Sequence, residues 1–351
     1  MRTWTLRGYL PSLNNPWMAM LFSCLLLVLI GDTAKSADTV KYIRSAKRSA
    51  VTQQGTIIDY TGASLTLELA GGRRVQIPTD KIIAVETVRS DSQRAADRLL
   101  LDGHPAQALT LYRRAVRDEQ RAWMRRWILA DMCRCYAQLG QLPQACDTFL
   151  ILVHSDPATP WFDAIPLCWT ARPVPSDMQQ RAESWIESSS AVEQLLAASW
   201  LLTISSQRTR AVAQLQHLTA APDRRIAGLA SAQLWRTSLA TATGKEVAQW
   251  QAAIDGLPTS LRAGPYYLLG LALARLGRRQ DAALALMRIP ILFSKQRMLA
   301  AEALWTAGQQ LERLKQPDEA VRVYRELANR HDDCPLASTA RARINTLLHD
   351  H

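Results

Sequence analysis

The sequence predicts a mainly α-helical protein, an α-solenoid of helical hairpins preceded by a small all-β barrel. A helix-pair pattern recurs four times between residues 90 and 333, in two tandem couples. Upstream, between Val40 and Val88, apolar and polar residues alternate with a period of two, which is typical of half-buried β-strands. The two patterns therefore assign different structures to the two parts of the chain.

Each copy of the helix-pair pattern has an alanine at a fixed position: Ala108, Ala145, Ala282 and Ala320. A small residue stands twelve positions before each of these alanines, and a large apolar residue stands four positions after it. The small residue marks the crossing of two packed helices, because a larger side chain there would hold the backbones apart. The small residues are Ala96, Cys133, Gly270 and Gly308, and the large ones are Tyr112, Phe149, Leu286 and Tyr324.

This arrangement resembles the tetratricopeptide repeat, whose period is about 34 residues. Within the two couples the alanines lie 37 and 38 residues apart, so these repeats are slightly long. The turn inside each helix pair falls near Gly103, Gly140 and Gly277, which accept the left-handed conformation that ends many helices, and near Lys315 in the last copy. The resemblance implies a solenoid that binds other proteins.

The other segments complete the predicted organisation. Residues 38–89 give four or five short strands, and the run GTIIDYTGASLTLELAGGRRVQIPTDKIIAVET resembles small SH3-like or Sm-like barrels. The repeat couples occupy residues 90–155 and 258–351, the second with a capping helix, and residues 178–257 are interpreted as degenerate helical repeats. Five prolines at 156–177 exclude a continuous helix, but Trp161, Phe162 and Trp169 make that segment too apolar for a free linker. We expect a packed connector there.

The first 37 residues have the order of a secretory signal peptide. Arg2 and Arg7 precede an apolar run at residues 17–30, and a stretch rich in small residues follows at 34–37. A membrane span needs about 20 apolar residues, so this run is short for one. We therefore expect an exported protein, either periplasmic or anchored to the inner membrane by an uncleaved N-terminal segment.

The net charge indicates which classes of partner the protein can bind. The formal net charge is +11, and it falls to about +9 without the first 37 residues, which fits attraction to anionic lipid or cell-wall surfaces. Export, and the lack of a motif that combines aromatic and basic residues, argue against nucleic acid as a partner.

Five cysteines follow the apolar run, an odd number that cannot all pair within one chain. Cys133 and Cys146 occupy apolar helix positions, where cysteine acts as a small hydrophobe.

Local signatures of catalysis are missing from the sequence. Its six histidines are scattered, and it contains no HExxH, GxSxG, GxxxxGK or GxGxxG motif. The string from His331 to Cys334 contains metal-binding residue types, but we interpret it as a polar turn after a repeat helix. We expect no catalytic, cofactor-binding or metal-binding residues, and an enzyme with its site in the connector is the least favoured hypothesis.

By register with the repeat family, six residues on the first helices of the pairs project onto the inner face of the superhelix. Aromatic and arginine side chains are favoured anchors in protein interfaces. For the two tryptophans among the six, packing against the next helix pair is an equally good interpretation. The candidate partner-binding residues are Trp127, Arg134, Tyr267, Trp305, Gln309 and Arg313.

Together these observations predict a non-enzymatic protein–protein interaction scaffold of the cell envelope, which binds protein partners through the inner face of the solenoid. Residues 324–344 resemble the closing repeat of bacterial envelope repeat proteins. The alternative is an envelope protein that binds peptidoglycan or another polysaccharide, using the barrel, the tryptophans and the basic charge.

Overall fold

The computed structural model of this protein describes residues 38–44 and 49–349. In this part of the chain, five β-strands precede fourteen α-helices, so the predicted mainly α fold class is confirmed. None of these helices combines the length and the hydropathy that a membrane crossing requires. The signal peptide or anchor predicted for residues 1–37 lies outside the described residues and stays a prediction.

The strands form one antiparallel sheet in the order β4-β3-β2-β1-β5. The long β2 pairs with β1 through its first half and with β3 through its second half, and Leu65, Leu67 and Ile77 are buried on the inner side. The SH3-like or Sm-like type of this domain stays a prediction. The strands are β1 Asp38–Ile43, β2 Ala50–Tyr60, β3 Ser64–Glu68, β4 Arg74–Pro78 and β5 Ile82–Glu86.

The N-terminal couple follows the sheet directly. Its four helices are α1 Asp91–Leu101, α2 Pro105–Asp118, α3 Ala122–Gln138 and α4 Leu142–Ser155. The Ser90 hydroxyl accepts a hydrogen bond from the Gln93 amide at 3.2 Å and so caps α1. At the second crossing, the fully buried Cys133 places its Sγ 3.2 Å from the carbonyl oxygen of Ala145. The small residue lies where the spacing predicted it.

After α4 the chain runs without a regular helix through residues 156–175, apart from a 3-10 turn at Phe162–Ala164. We call this segment the connector. Five helices follow, separated by breaks that include the predicted ones near Ser190, Ser205, Ala221 and Thr243. They are α5 Ser176–Trp185, α6 Ala191–Leu201, α7 Arg208–Leu218, α8 Arg224–Ser238 and α9 Gly244–Asp255.

The C-terminal couple repeats the hairpin geometry. Its helices are α10 Ala263–Arg275, α11 Arg279–Leu292, α12 Arg297–Arg313 and α13 Pro317–Arg330, and α14 Pro335–His349 packs against its end. A Cβ added to Gly270 would lie 2.5 Å from Leu286 Cγ, which explains why a small residue is needed at this crossing. All four predicted turn residues are left-handed, with φ of +83°, +71°, +76° and +59° at Gly103, Gly140, Gly277 and Lys315.

The superhelix returns to its own beginning. Arg297, the first residue of α12, donates from Nη1 to the carbonyl oxygen of Leu101 at the end of α1, at 3.3 Å. The neighbouring Gln296 donates from Nε2 to the carbonyl oxygen of Asp163 in the connector, at 2.8 Å. The start of the last helix pair therefore lies against the first helix pair, and the solenoid encloses space between its two ends.

Candidate partner-binding site

The connector covers the inner side of α3. Trp161 is only 8% exposed and lies between two other rings. Its centroid is 5.4 Å from that of Tyr60 on β2 and 5.9 Å from that of Trp127 on α3. Trp127 therefore packs against the connector on this side of the indole, and neither a helix pair nor a partner occupies that position.

Arg134, another predicted partner-binding residue, is held by acidic side chains of its own chain. Its guanidinium donates to Asp131 at 2.6 Å and to Asp163 of the connector at 2.8 Å, and the side chain is 5% exposed. Burial lowers the pKa of Arg134, but the charges of Asp163 and Asp131 outweigh burial and raise it above its usual value. Arg134 therefore holds the connector in place, and little of its side chain is accessible to a partner.

Elements from the rest of the molecule also bind the connector. The indole Nε1 of Trp200 on α6 donates to the carbonyl oxygen of Pro166 at 2.9 Å. Arg225 on α8 donates to three successive carbonyl oxygens at the start of the connector, at 2.7 to 3.2 Å. The amide of Gly62 donates to Asp156 Oδ2 at 2.9 Å and ties the connector to the β2–β3 turn. The connector is thus a fixed element at which the sheet and the helices meet.

A cavity of about 840 Å³ lies where the superhelix closes, within the range of small-ligand sites. Its wall combines β5 and the first three helices on one side with α11, α12 and the end of α13 on the other. The side chain of Leu101 is 66% exposed, so an apolar surface is open to a partner there. The residues that line the cavity include Arg89, Asp97, Leu101, Tyr112, Trp127, Gln138, Lys295, Arg297 and His331.

One wall of this cavity is an ordered polar and aromatic cluster. The Arg89 guanidinium lies 4.5 Å from the centroid of Trp127 and 2.5 Å from Asp97. The Tyr112 hydroxyl donates to the same carboxylate at 2.7 Å, and burial, followed by the charges of Asp131 and Asp97, raises its pKa. Tyr112 therefore stays protonated and keeps Asp97 in place, so the wall is preorganised.

A second cavity of about 200 Å³ adjoins the first, because Gln138, Lys295 and Arg297 line both. Glu302 of α12 and Arg172 of the connector lie in its wall. Burial raises the pKa of Glu302, and the nearby Arg172 charge partly offsets this. The arrangement offers an acidic and a basic group beside apolar connector residues.

The predicted residues of the C-terminal couple do not converge with those of the N-terminal couple. Tyr267 is buried, and burial, together with the charge of Glu302, raises its pKa. Trp305 packs on Tyr324 of its own helix pair, with centroids 5.2 Å apart. Gln309 is half-buried and Arg313 is exposed at the end of α12. The structure thus places Trp127 and Arg134 in cavity walls and the other four elsewhere.

Sequence reasoning missed Asp163, Lys295, Gln296 and Arg297, which connect the two ends of the solenoid. The apolar residues of the connector predicted that it is packed, but they did not indicate its position over Arg134. Arg297 and the acidic turn at Asp332 and Asp333 are 35 residues or more apart in sequence, so no local pattern joins them. The observation that could have drawn attention to Arg297 is a charged residue directly before the apolar run at residues 298–301.

The string at residues 331–334 forms a turn at the end of α13, as interpreted from the sequence. His331 is buried with no hydrogen-bond partner on Nδ1, and its pKa is lowered to about 4, first by burial and then by the charge of Arg297. Within residues 38–44 and 49–349, no three His, Cys, Asp or Glu side chains are grouped as metal ligands. The five cysteines of that part are free and buried, and burial raises the pKa of Cys133 and Cys135 to about 12.

Comparison with known proteins gives one family match. The family model described as tetratricopeptide repeat matches residues 302–333, from within α12 to the turn after α13. No curated protein matches the chain. The last of the four helix pairs is therefore similar to a tetratricopeptide repeat in sequence, and the other three share its spacing and its left-handed turn.

Proposed function

We propose that this protein is an exported, non-enzymatic scaffold that binds a segment of a partner protein in the large cavity. The observation that carries the proposal is the cavity itself, about 840 Å³ in volume, with walls from both ends of the solenoid. The tetratricopeptide match at residues 302–333 supports protein binding, because helical-repeat solenoids use concave surfaces to bind their partners.

Because the connector covers the inner face of α3, the proposed site for the partner segment lies in the cavity and not on that face. Asp163 and Trp161 already contact Arg134 and Trp127 there, so a partner would have to displace buried side chains. The cavity needs no such displacement, and it presents the exposed Leu101 beside the paired charges of Arg89 and Asp97. An apolar centre with a polar rim is the usual anatomy of a protein interface. A segment with one apolar anchor and polar neighbours fits this wall.

The cell envelope is the proposed location. The order of charges and apolar residues in 1–37 supports export to the periplasm or anchoring to the inner membrane. The positive net charge supports additional association with anionic lipid or cell-wall surfaces. In this proposal the small β domain is fixed to the solenoid through Gly62 and Arg126, whose guanidinium lies 2.6 Å from Asp59, so it acts as part of one rigid scaffold.

The test is capture of partners by crosslinking in the envelope fraction, with two matched variants. Leu101→Glu places a charge in the cavity, and Leu284→Glu places the same charge on α11 outside the cavity. These leucines are 66% and 60% exposed, so neither change disturbs the core. We expect Leu101→Glu to abolish capture of partners that wild type and Leu284→Glu retain. Equal capture by both variants would contradict binding in the cavity.

The alternative function, binding of a polysaccharide, predicts different results in partner capture and in sedimentation with cell wall. Full-length protein would then co-sediment with purified peptidoglycan and would capture no reproducible protein. Sedimentation that disappears at moderate salt would indicate charge attraction alone, because screening weakens contacts between exposed charges. Co-sedimentation that persists in salt, with no protein partner, would replace the scaffold proposal.

A further inference from the structure

Three consecutive residues, the last two of the α11–α12 loop and the first of α12, reach across the closing point of the superhelix. Lys295 Nζ lies 3.6 Å from Asp131 of α3, and Gln296 donates to the carbonyl oxygen of Asp163 at 2.8 Å. Arg297 donates to the carbonyl oxygen of Leu101. We call Lys295, Gln296 and Arg297 the clasp. Its contacts span up to 196 residues of sequence, so they join parts of the chain that no local structure connects.

Arg297 makes the central contacts of the clasp. Its side chain is 10% exposed, and Nη2 lies 2.7 Å from Asp333 and 4.0 Å from Asp332. The same guanidinium donates from Nη1 to the Leu101 carbonyl oxygen, one of the free carbonyls at the end of α1. A cation is favourable at a helix C-terminus, where the carbonyl dipoles leave partial negative charge. Arg297 thus couples the first helix of the solenoid to the turn after α13.

Gly103 makes room for this guanidinium. A Cβ at position 103 would lie 2.2 Å from Nη2 and 2.8 Å from Cζ of Arg297. Gly103 is left-handed with φ of +83°, as are Gly140 and Gly277 with +71° and +76°. Nothing lies within 4 Å of a Cβ at those two positions. The three glycines therefore have the same backbone requirement, but Gly103 alone among them contacts the clasp.

The clasp also forms the wall between the two cavities. Lys295 and Arg297 line both, and Gln296 lines the smaller one. We infer that the clasp is a conformational device, which holds the superhelix closed and, when released, joins the cavities and exposes Trp127. Its role in admitting a partner rests on the proposed function. Closure itself does not, because it follows from contacts within the chain.

The experiment compares Arg297→Gln and Gly103→Ala with the controls Gly140→Ala and Gly277→Ala. All three alanine variants place a side chain in the left-handed region, so they share the same backbone strain. Gly103→Ala additionally displaces the guanidinium. The readouts are hydrogen exchange in the last turn of α1 and the first turn of α12, and hydroxyl-radical oxidation of Trp127. Trp123 is fully buried away from the clasp and serves as the internal reference for oxidation.

We expect Gly103→Ala and Arg297→Gln to speed exchange at both ends of the clasp by about tenfold, with exchange in α9 unchanged. Oxidation of Trp127 relative to Trp123 should rise in the same two variants. If Gly103→Ala matched Gly140→Ala and Gly277→Ala in both readouts, the inference that the clasp holds the superhelix closed would be wrong.

The outcomes for the clasp and for the proposed function are separable. Faster exchange with unchanged Trp127 oxidation would overturn the control of cavity access. Leu101 gives the clasp a backbone carbonyl oxygen. Loss of partner capture in Leu101→Glu therefore concerns the proposed function alone when hydrogen exchange at both ends of the clasp stays as in wild type. Should Arg297→Gln fail to fold, Gly103→Ala decides, because it adds a single methyl group at a turn.

Discussion

The N-terminal and C-terminal couples have the same hairpin geometry but different surroundings. Counting back from Ala145 and Ala320, Arg134 and Gln309 occupy equivalent positions on the first helix of the second pair in each couple, and so do Trp127 and Glu302. Arg134 is enclosed by two carboxylates, one of them from the connector, whereas Gln309 is half-buried. Equivalent positions in the two couples therefore carry different roles.

The repeat spacing thus specifies how two helices cross, but it does not specify what packs on their other surfaces. Crossings depend on residues within about one repeat of each other. The connector, which packs over α3, follows that hairpin directly, and it is held there by Trp200 and Arg225 from later helices. A repeat match is therefore good evidence for a hairpin and weak evidence for a free binding face.

Arg134 and Gln309 are the equivalent positions whose surroundings differ most, so substitutions there should differ most in their effect on stability. Arg134→Met should destabilise the protein by about 3 kcal/mol, because it leaves the buried Asp131 without its main partner and releases Asp163. The matched change Gln309→Met should lie within about 0.5 kcal/mol of wild type. Urea denaturation midpoints measure both. An equal loss of stability in the two variants would mean that the ion pairs of Arg134 stabilise the protein no more than the contacts of Gln309 do.

The hairpins could be predicted from sequence because their determinants are local. Small residues at the crossings and left-handed turns at Gly103, Gly140, Gly277 and Lys315 all lie within one repeat. The candidate site could be predicted only in part. Trp127 lines a cavity, but the opposite wall contains Arg297, whose contact with Leu101 joins residues 196 positions apart. Patterns within a repeat carry no information about such pairs.

A smaller effect concerns pH and the turn that meets the clasp. The pKa of His331 is lowered from 6.5 to about 4, so the folded state favours its neutral form. Arg297, Arg330, Asp332 and Asp333 are the charged groups around it. Because the unfolded chain binds this proton first, stability is complete above pH 6.5 and is lost as pH falls toward 4, by on the order of 2 kcal/mol.

The measurement for His331 is the urea midpoint at pH 7.5 and pH 4.5 for wild type and His331→Gln. We expect the variant to lose less stability between the two pH values than wild type does. His104 is an exposed histidine in the first turn of the N-terminal couple, and His104→Gln is the control. The same pH dependence in all three proteins would exclude His331 as its source.

The helix crossings also differ between the two couples. Ala96 carries a Cβ at its crossing, whereas a Cβ at Gly308 would lie 2.3 Å from the ring of Tyr324. That ring is held by a hydrogen bond from its hydroxyl to Glu312 at 2.6 Å. Gly308→Ala should therefore cost about 1 kcal/mol, since overpacking exceeds the gain in helix propensity. Gly244→Ala places its Cβ in open space and should leave the stability unchanged. The urea midpoint measures both variants.

The smallest effect concerns the one hairpin turn that lacks glycine. Lys315 has φ of +59°, in the region that the other three turns fill with glycine. Lys315→Gly removes about 1–2 kcal/mol of backbone strain and adds about 0.5–1 kcal/mol of conformational entropy to the unfolded chain. We expect a net gain of about 0.5 kcal/mol in the urea midpoint analysis, with Gly140→Ala losing stability as the reverse control. A loss in Lys315→Gly would instead mean that the lysine side chain stabilises the turn by more than its backbone strain costs.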